Sequence, residues 1–319
     1  MSQIIQFAHS GKEWEADHVP RHPQQYYPVA DNPGWFQRDW TQRGGHGRKF
    51  VEGSGKYVQK LAGSTIPADP LYFWCEAEWD TMARPLAMPA NAADSVYPQW
   101  LHKFYSELPV RPAGGANTDP YIFGKQFIYS NCQQDTSLRN TQIRPGDLIL
   151  FGSVKRTGKT PRFMLDTVFV VSGHSCPMAE KTIAEISKES GDRVSDSFVK
   201  TVLEQLQESG CNTHAGGQAC GGGNNYTLYF GASFDDPWEE IFSFVPVKIP
   251  GLKKTAQQDC GYERLTFTTI PPALDGMLNL NLAQGVRIVK EADSVKDWNA
   301  IAKYAIEQGY CLGTYFEEP

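Results

Sequence analysis

At 319 residues the chain is long enough for one elaborated domain or two modest ones, and its 40% hydrophobic and 21% charged content excludes wholesale disorder. No run reaches the ~18 apolar residues of a membrane helix, and the opening MSQIIQFAHSGKEW lacks a basic stretch followed by an apolar one. The net charge of −6 is the wrong sign for a protein that coats nucleic acid indiscriminately. These features predict a soluble, cytoplasmic protein with no membrane partner. Its seven cysteines, odd in number and irregular in spacing, read as reduced thiols rather than a disulfide framework.

The first ~60 residues, with HVPRHPQQYYP and DNPGWFQRDW, hold too much Pro and Gly for long helices. Their large aromatics, Trp14, Tyr26, Tyr27, Trp35, Phe36 and Trp40, predict an ordered, irregular segment packed on a sheet. Strand signals follow at 71–79 (LYFWCEAEW), 121–130 (YIFGKQFIYS), 147–154 (DLILFGSV) and 163–172 (FMLDTVFVVS). The last two, joined by a basic Gly-containing loop, read as a long hairpin. Helical spacing appears in PMAEKTIAEISKES and VSDSFVKTVLEQLQES, the second ending before Gly210. A glycine-rich loop, HAGGQACGGGNN, then leads to strands around YTLYFGAS and IFSFVPVKI. Near the end, Ser294 with Asp297 reads as a capping box, and the stripe Val295, Trp298, Ile301, Ala302, Ala305 and Ile306 predicts a helix closed by Gly309. With no internal repeat and no sharp break in composition, one domain over 1–319 is expected. Residues 1–172 form a β-rich core carrying the site, and 173–319 supply a helical insertion, further strands and a C-terminal helix. The class is α+β.

Charge is unevenly spread. Residues 33–60 carry six basic against two acidic side chains, and 137–165 carry six against one. Two basic segments in an acidic chain point to a local anionic partner, although solvated loops would look the same. Within the first, His46, Arg48 and Lys49 sit in a Gly-flanked loop suited to gripping a phosphate or carboxylate.

Glu76 and Glu78 fall on one face of the predicted 71–79 strand, beside Trp74, and are the best acid–base candidates, because neighbouring carboxylates push one pKa upward. Asp166 interrupts an apolar run, so it needs a partner or faces a pocket, unless simple alternation turns it to solvent. Asn117-Thr118-Asp119-Pro120 has turn chemistry. Asn131 and Gln133, with Gln134, end the strand that follows, where carboxamides can read the edge of a base. Cys132 is a candidate nucleophile with His46 as its base, against the plainer reading of a small buried thiol. Catalytic candidates are therefore Glu76, Glu78, Cys132 and Asp166; ligand-binding candidates are His46, Arg48, Lys49, Trp74, Asn117, Asp119, Asn131 and Gln133. Cys211, His214 and Cys220, with Cys176 or Cys260, have the residue types for zinc but no zinc spacing, so no metal is expected. The glycine run lacks the Lys-Ser/Thr ending of a phosphate loop, and GxSxG, HExxH and dinucleotide fingerprints are absent. The sequence leaves the cofactor open.

The pair RPGDLILFGSV and FMLDTVFVV resembles the PUA-like superfamily, including ASCH and EVE domains. That resemblance implies a small mixed β-barrel and sheet core, and members that bind RNA or modified bases or process nucleosides. More broadly, HGRKF, FWCEAEW, NTDPYIFG, YSNCQQ, GDLILFGS, LDTVFVV and FSFVPV resemble an uncharacterised bacterial family associated with nucleotide-modification-associated domains. The chain departs from that pattern at CEAEW, where a Gly is expected in place of Cys75 or Ala77. The resemblance implies a partner that is a nucleotide or modified nucleic acid, and a role in recognition linked to nucleic-acid modification or defence. A hydrolase or transferase using glutamate acid–base chemistry on a nucleotide-like substrate is the alternative.

Overall fold

The computed structural model describes residues 2–8, 27–28, 33–38, 48–76, 81–87, 97–104, 119–130, 132, 134, 142–157, 160–179, 181–204, 226–250, 261–282 and 285–318. In chain order the strands begin with β1 (Ser2–Ala8), β2 (Tyr27–Pro28), β3 (Phe36–Arg38), β4 (Lys49–Val58) and β5 (Ile66–Cys75). They continue with β6 (Thr81–Pro85), β7 (Trp100–Phe104), β8 (Ile128–Tyr129), β9 (Leu148–Thr157) and β10 (Thr160–Pro177). The last are β11 (Thr227–Gly231), β12 (Val245–Lys248), β13 (Leu265–Phe267), β14 (Gly285–Ala292) and β15 (Cys311–Phe316). Three short helices complete the described fold: α1 (Ile183–Ser190), α2 (Asp196–Phe198, running into a π turn over Val199–Leu203) and α3 (Ser294–Glu307). The class is α+β, dominated by strands. Among the described residues no helix is long and apolar enough to cross a membrane.

One sheet runs β14-β1-β9-β10-β11-β8, with β13 added to β10; the other runs β15-β12-β5-β4-β7-β6-β3-β2. In the second, β15 also pairs with β4, so β4, β5, β12 and β15 close into a small four-stranded barrel. Alternation along β9 and β10 sends Ile149, Phe151, Phe169 and Val171 into one apolar core and Leu148, Leu150, Val168 and Val170 into another. The first sheet is thus covered on both faces, which is why its strands read as unbroken apolar runs. The barrel strands contribute Val51, Leu71, Phe73 and Val247 to the first of these cores.

The predicted hairpin is present: β9 and β10 pair antiparallel from Thr157↔Thr160 onward, and β10 runs well beyond the expected 163–172. The C-terminal helix is also present, with Gly309 at φ +75° at its end. Its cap lies one residue earlier than the sequence indicates. Asp293 is the N-cap and accepts from the Lys296 N–H at 3.1 Å, while Ser294 is buried and donates its own N–H to Ser2 Oγ. A carboxylate at the positive end of the helix is the stronger cap.

Three expectations are corrected. The first ~60 residues are not irregular throughout, because β1 and β4 are ladder strands and β1 lies inside the first sheet, between β14 and β9. The strand over 71–79 starts at Ile66 and ends at Cys75, leaving Glu76 just past its end. The strand over 121–130 is instead a tight reversal. Tyr121 and Ile128 exchange both backbone bonds at 2.8 and 2.7 Å, Gly124 occupies φ +77° at the bend, and only Ile128–Tyr129 joins a sheet. Tyr121, Ile122, Phe123, Phe127, Ile128 and Tyr129 are all buried, and a fully buried loop carries the same apolar signal as a fully buried strand.

Candidate functional site

β10 pairs with β9 in continuous register except between Leu165 and Thr167, where Asp166 is the extra residue of a β-bulge. A bulge re-aims one side chain out of the strand's alternation. Here it delivers a carboxylate to the place where β4 begins and β5 ends. Arg48, one residue before β4, meets it there: Arg48 Nε lies 2.9 Å from Asp166 Oδ2, and Nη1 pairs with Glu76 Oε2. Nη2 donates to the Gly152 carbonyl at 3.2 Å. Gly152 is required at that point, since a Cβ would stand 2.3 Å from the Met164 carbonyl oxygen across the ladder.

A second guanidinium closes the cluster from the far end of the chain. Arg264, just before β13, donates from Nε to Asp166 Oδ1 at 2.8 Å and pairs with the same oxygen through Nη2. Nη1 reaches Ser153 Oγ at 2.8 Å and Nη2 the Met164 carbonyl at 3.2 Å. Arg48, Glu76, Asp166 and Arg264 are all at most 4% exposed, two cations against two carboxylates. Such a group is tolerated in the interior only because every charge finds a partner. Burial alone would lower the Arg48 pKa, but Asp166 and Glu76 more than offset it and the value moves up. For Arg264 burial prevails over the attraction of Asp166, and Arg48 adds repulsion, so its pKa moves down.

The cluster rests against an aromatic face. Pairing of Phe50 with Trp74 and of Glu52 with Tyr72 places Phe50, Tyr72 and Trp74 close together: Tyr72 stacks on Phe50 at 5.9 Å, and Trp74 lies tilted against it at 5.4 Å. Arg264 lies over the Trp74 ring at 5.6 Å, and Trp74 donates its indole N–H to the Tyr262 carbonyl at 3.1 Å. Tyr262 packs on the same face, as does the half-buried Trp35.

Lys49 alternates to the opposite side, near Cys75 and His102, and is fully buried. Burial pushes the Cys75 thiol up to about 12, despite the opposing pull of Lys49. Burial, helped by Lys49, holds His102 well below its ordinary 6.5, and His102 Nδ1 sits 2.8 Å from Thr81 Oγ1.

Of the candidates from the sequence, Arg48, Trp74, Glu76 and Asp166 are brought together. Cys132 lies within electrostatic reach of Arg48, is 8% exposed and forms no disulfide. Asp119 stands apart as a clamp: Oδ1 accepts from the Ser130 N–H at 2.8 Å and Oδ2 from the Cys132 N–H at 2.6 Å. The Gln134 carboxamide is bonded to the Ser130 and Thr227 backbone, not presented to a base. Arg48 and Lys49 are interior residues, so the amino-terminal basic segment is not a continuous surface patch. His46, Glu78, Asn117, Asn131 and Gln133 lie outside the described residues, as do Cys211, His214, Cys220 and Cys260. Among the described residues no group of three His, Cys, Asp or Glu is arranged to hold a metal. Sequence reasoning missed Arg264, Ser153 and Tyr262; an arginine ahead of the short run LTF carries no signal that separates it from a solvated one.

Beside the cluster lies an open cleft of about 290 Å³ lined by Tyr97, Lys248, Tyr262, Glu263, Arg264 and Tyr310. Comparisons with protein-family models, with curated proteins and with solved structures each found no match.

Proposed function

We propose that this chain recognises a nucleotide or a modified base, in a role linked to nucleic-acid modification or defence. The observation that carries the reading is the meeting of Arg48, Glu76, Asp166 and Arg264 against the Trp74 ring, next to an open cleft edged by Tyr262. Paired charges hold the cleft's inner wall rigid, and rings at its mouth supply stacking, at ~1–3 kcal/mol per base. In the same reading the closed barrel beside a larger mixed sheet is PUA-like, the chain belongs with the nucleotide-modification-associated domains, and the protein works in the cytoplasm. The test is a panel of mononucleotides and oligonucleotides, with and without modified bases, titrated at two salt concentrations. Saturable binding that Tyr262→Ala weakens at least about tenfold is expected. Absence of binding across the panel would overturn the reading.

One arrangement favours a second reading, a hydrolase or transferase acting on a nucleotide-like substrate. Two carboxylates, one in the β10 bulge and one just past the end of β5, share one guanidinium, with the Cys132 thiol within electrostatic reach. It predicts product formation detectable by mass spectrometry and lost in Glu76→Gln with ligand binding retained.

A further inference from the structure

We infer that the cleft beside Arg264 selects neutral nucleobases that carry an exocyclic amino group, with Glu263 as the acceptor that reads it. The inference deepens the nucleotide-recognition reading and rests on it.

Most of the cleft's polar groups are already committed. Lys248 donates to the Gly309 carbonyl at 2.7 Å and to the Gln308 carbonyl at 3.2 Å, and its ammonium sits 3.6 Å from the centroid of the Tyr310 ring. The Tyr310 hydroxyl donates to the Glu263 carbonyl at 2.6 Å. Arg264 spends its donors on Asp166, Ser153 and Met164. Glu263, in contrast, is exposed and its carboxylate has no ion pair or hydrogen bond among the described residues. The cleft therefore offers tyrosine rings for stacking and, besides the Gln308 carboxamide, one uncommitted anionic acceptor.

That combination admits two ligand types, an organic cation or a planar ring with N–H donors on its edge. The resident ammonium decides between them. Lys248 already occupies the face of Tyr310 where a cation would sit, so the ring's cation site is filled from within. A neutral ring has no need of that face, stacks on Tyr262 or Tyr97 and donates its amino N–H to Glu263. A carboxylate accepting from an exocyclic amine is the pairing used to read cytosine. Adenine and guanine carry the same group; uracil and thymine present only carbonyls where it would be, which face the carboxylate unfavourably. The cleft's ~290 Å³ sits at the lower end of small-molecule sites, the scale of a base and its sugar.

The experiment is calorimetric titration of the full chain with cytidine, adenosine, guanosine, uridine and thymidine, with choline as the cationic probe and the 5′-monophosphates alongside. At least one amino-bearing nucleoside is expected to bind about tenfold or more tighter than uridine, the scale of one hydrogen bond to a charged group. Glu263→Ala is expected to abolish that preference without moving the melting temperature, because the side chain is exposed and unbonded. Tyr262→Ala is expected to weaken all nucleosides together. Selectivity unchanged by Glu263→Ala, or preference for choline, overturns the inference while leaving nucleotide recognition standing. Monophosphate binding indifferent to both variants does the same by locating the ligand elsewhere. If no nucleoside or nucleotide binds, both readings fall.

Discussion

Arg264 donates from Nε to Asp166 Oδ1 at 2.8 Å across 98 residues of chain, with both side chains buried. Asp166 owes its position to a bulge in β10, and through its other oxygen it also holds Arg48 at the root of β4. One carboxylate thus joins the first sheet, the barrel and the segment that edges the cleft. The interior arrangement has consequences beyond ligand binding, and each can be measured.

Gly152→Ala tests the close approach of β9 and β10 under the cluster. Its Cβ would lie 2.3 Å from the Met164 carbonyl oxygen and 2.7 Å from the Phe163 ring, and the first of these is backbone that cannot swing away. Parting the strands there also pulls the Gly152 carbonyl from Arg48. A loss of about 3 kcal/mol in urea unfolding is expected. A loss under about 0.5 kcal/mol would mean the strands are not packed this tightly.

Asp119→Ala removes the acceptors of two buried backbone donors, Ser130 N–H and Cys132 N–H. Each orphaned donor costs about 1–3 kcal/mol, so the variant should lose ~3 kcal/mol, with Asp119→Asn, which keeps one acceptor, losing less. Equal losses for the two variants would show that the carboxylate does not act as a two-pronged clamp.

His102 makes stability depend on pH in a defined direction. Its folded pKa is depressed by burial and by Lys49, while the unfolded side chain titrates near 6.5. Below pH 6.5 the unfolded state takes up a proton that the folded state refuses. Stability is therefore complete above that value and falls as pH drops, by up to ~1.4 kcal/mol per unit, until the folded pKa is reached. Denaturation at pH 7.5 and 5.5 should show a drop that His102→Asn reduces by ~1 kcal/mol, the amide occupying the Nδ1 position toward Thr81. Identical pH dependence in the two proteins would contradict this.

Cys75, with its thiol pushed up to about 12 and fully interior, should resist iodoacetamide at pH 8 in the native state. Peptide mapping is expected to find it modified only after denaturation. Labelling of the native protein at the rate of an exposed thiol would show that the interior opens at this point.

How much of this could be read in advance follows from where the information lies. The β9–β10 hairpin was legible because two apolar runs flank a Gly-containing basic loop, and α3 because six apolar residues recur at helical spacing. β1 was not, because Gln6 makes SQIIQFA look half-polar. Its carboxamide is buried and bonded to the Asn279 backbone, a partner 273 residues away. In the site, Glu76 stood out as one of a pair with Glu78 and Asp166 as a charge within an apolar run, yet nothing local joins Glu76 to Asp166. The bulge that turns Asp166 and the arginine that answers it depend on strand pairing set far along the chain.

The central claim is that Asp166 and its arginines form one interdependent interior unit, and a double-mutant cycle tests it most directly. Asp166→Asn should by itself cost about 3–5 kcal/mol, because it leaves two buried guanidiniums short of countercharge. Combined with Arg264→Gln, the cost should fall short of the sum of the single losses by at least ~1 kcal/mol. Losses that simply add would mean the two side chains do not depend on each other, and the account of the site would be wrong.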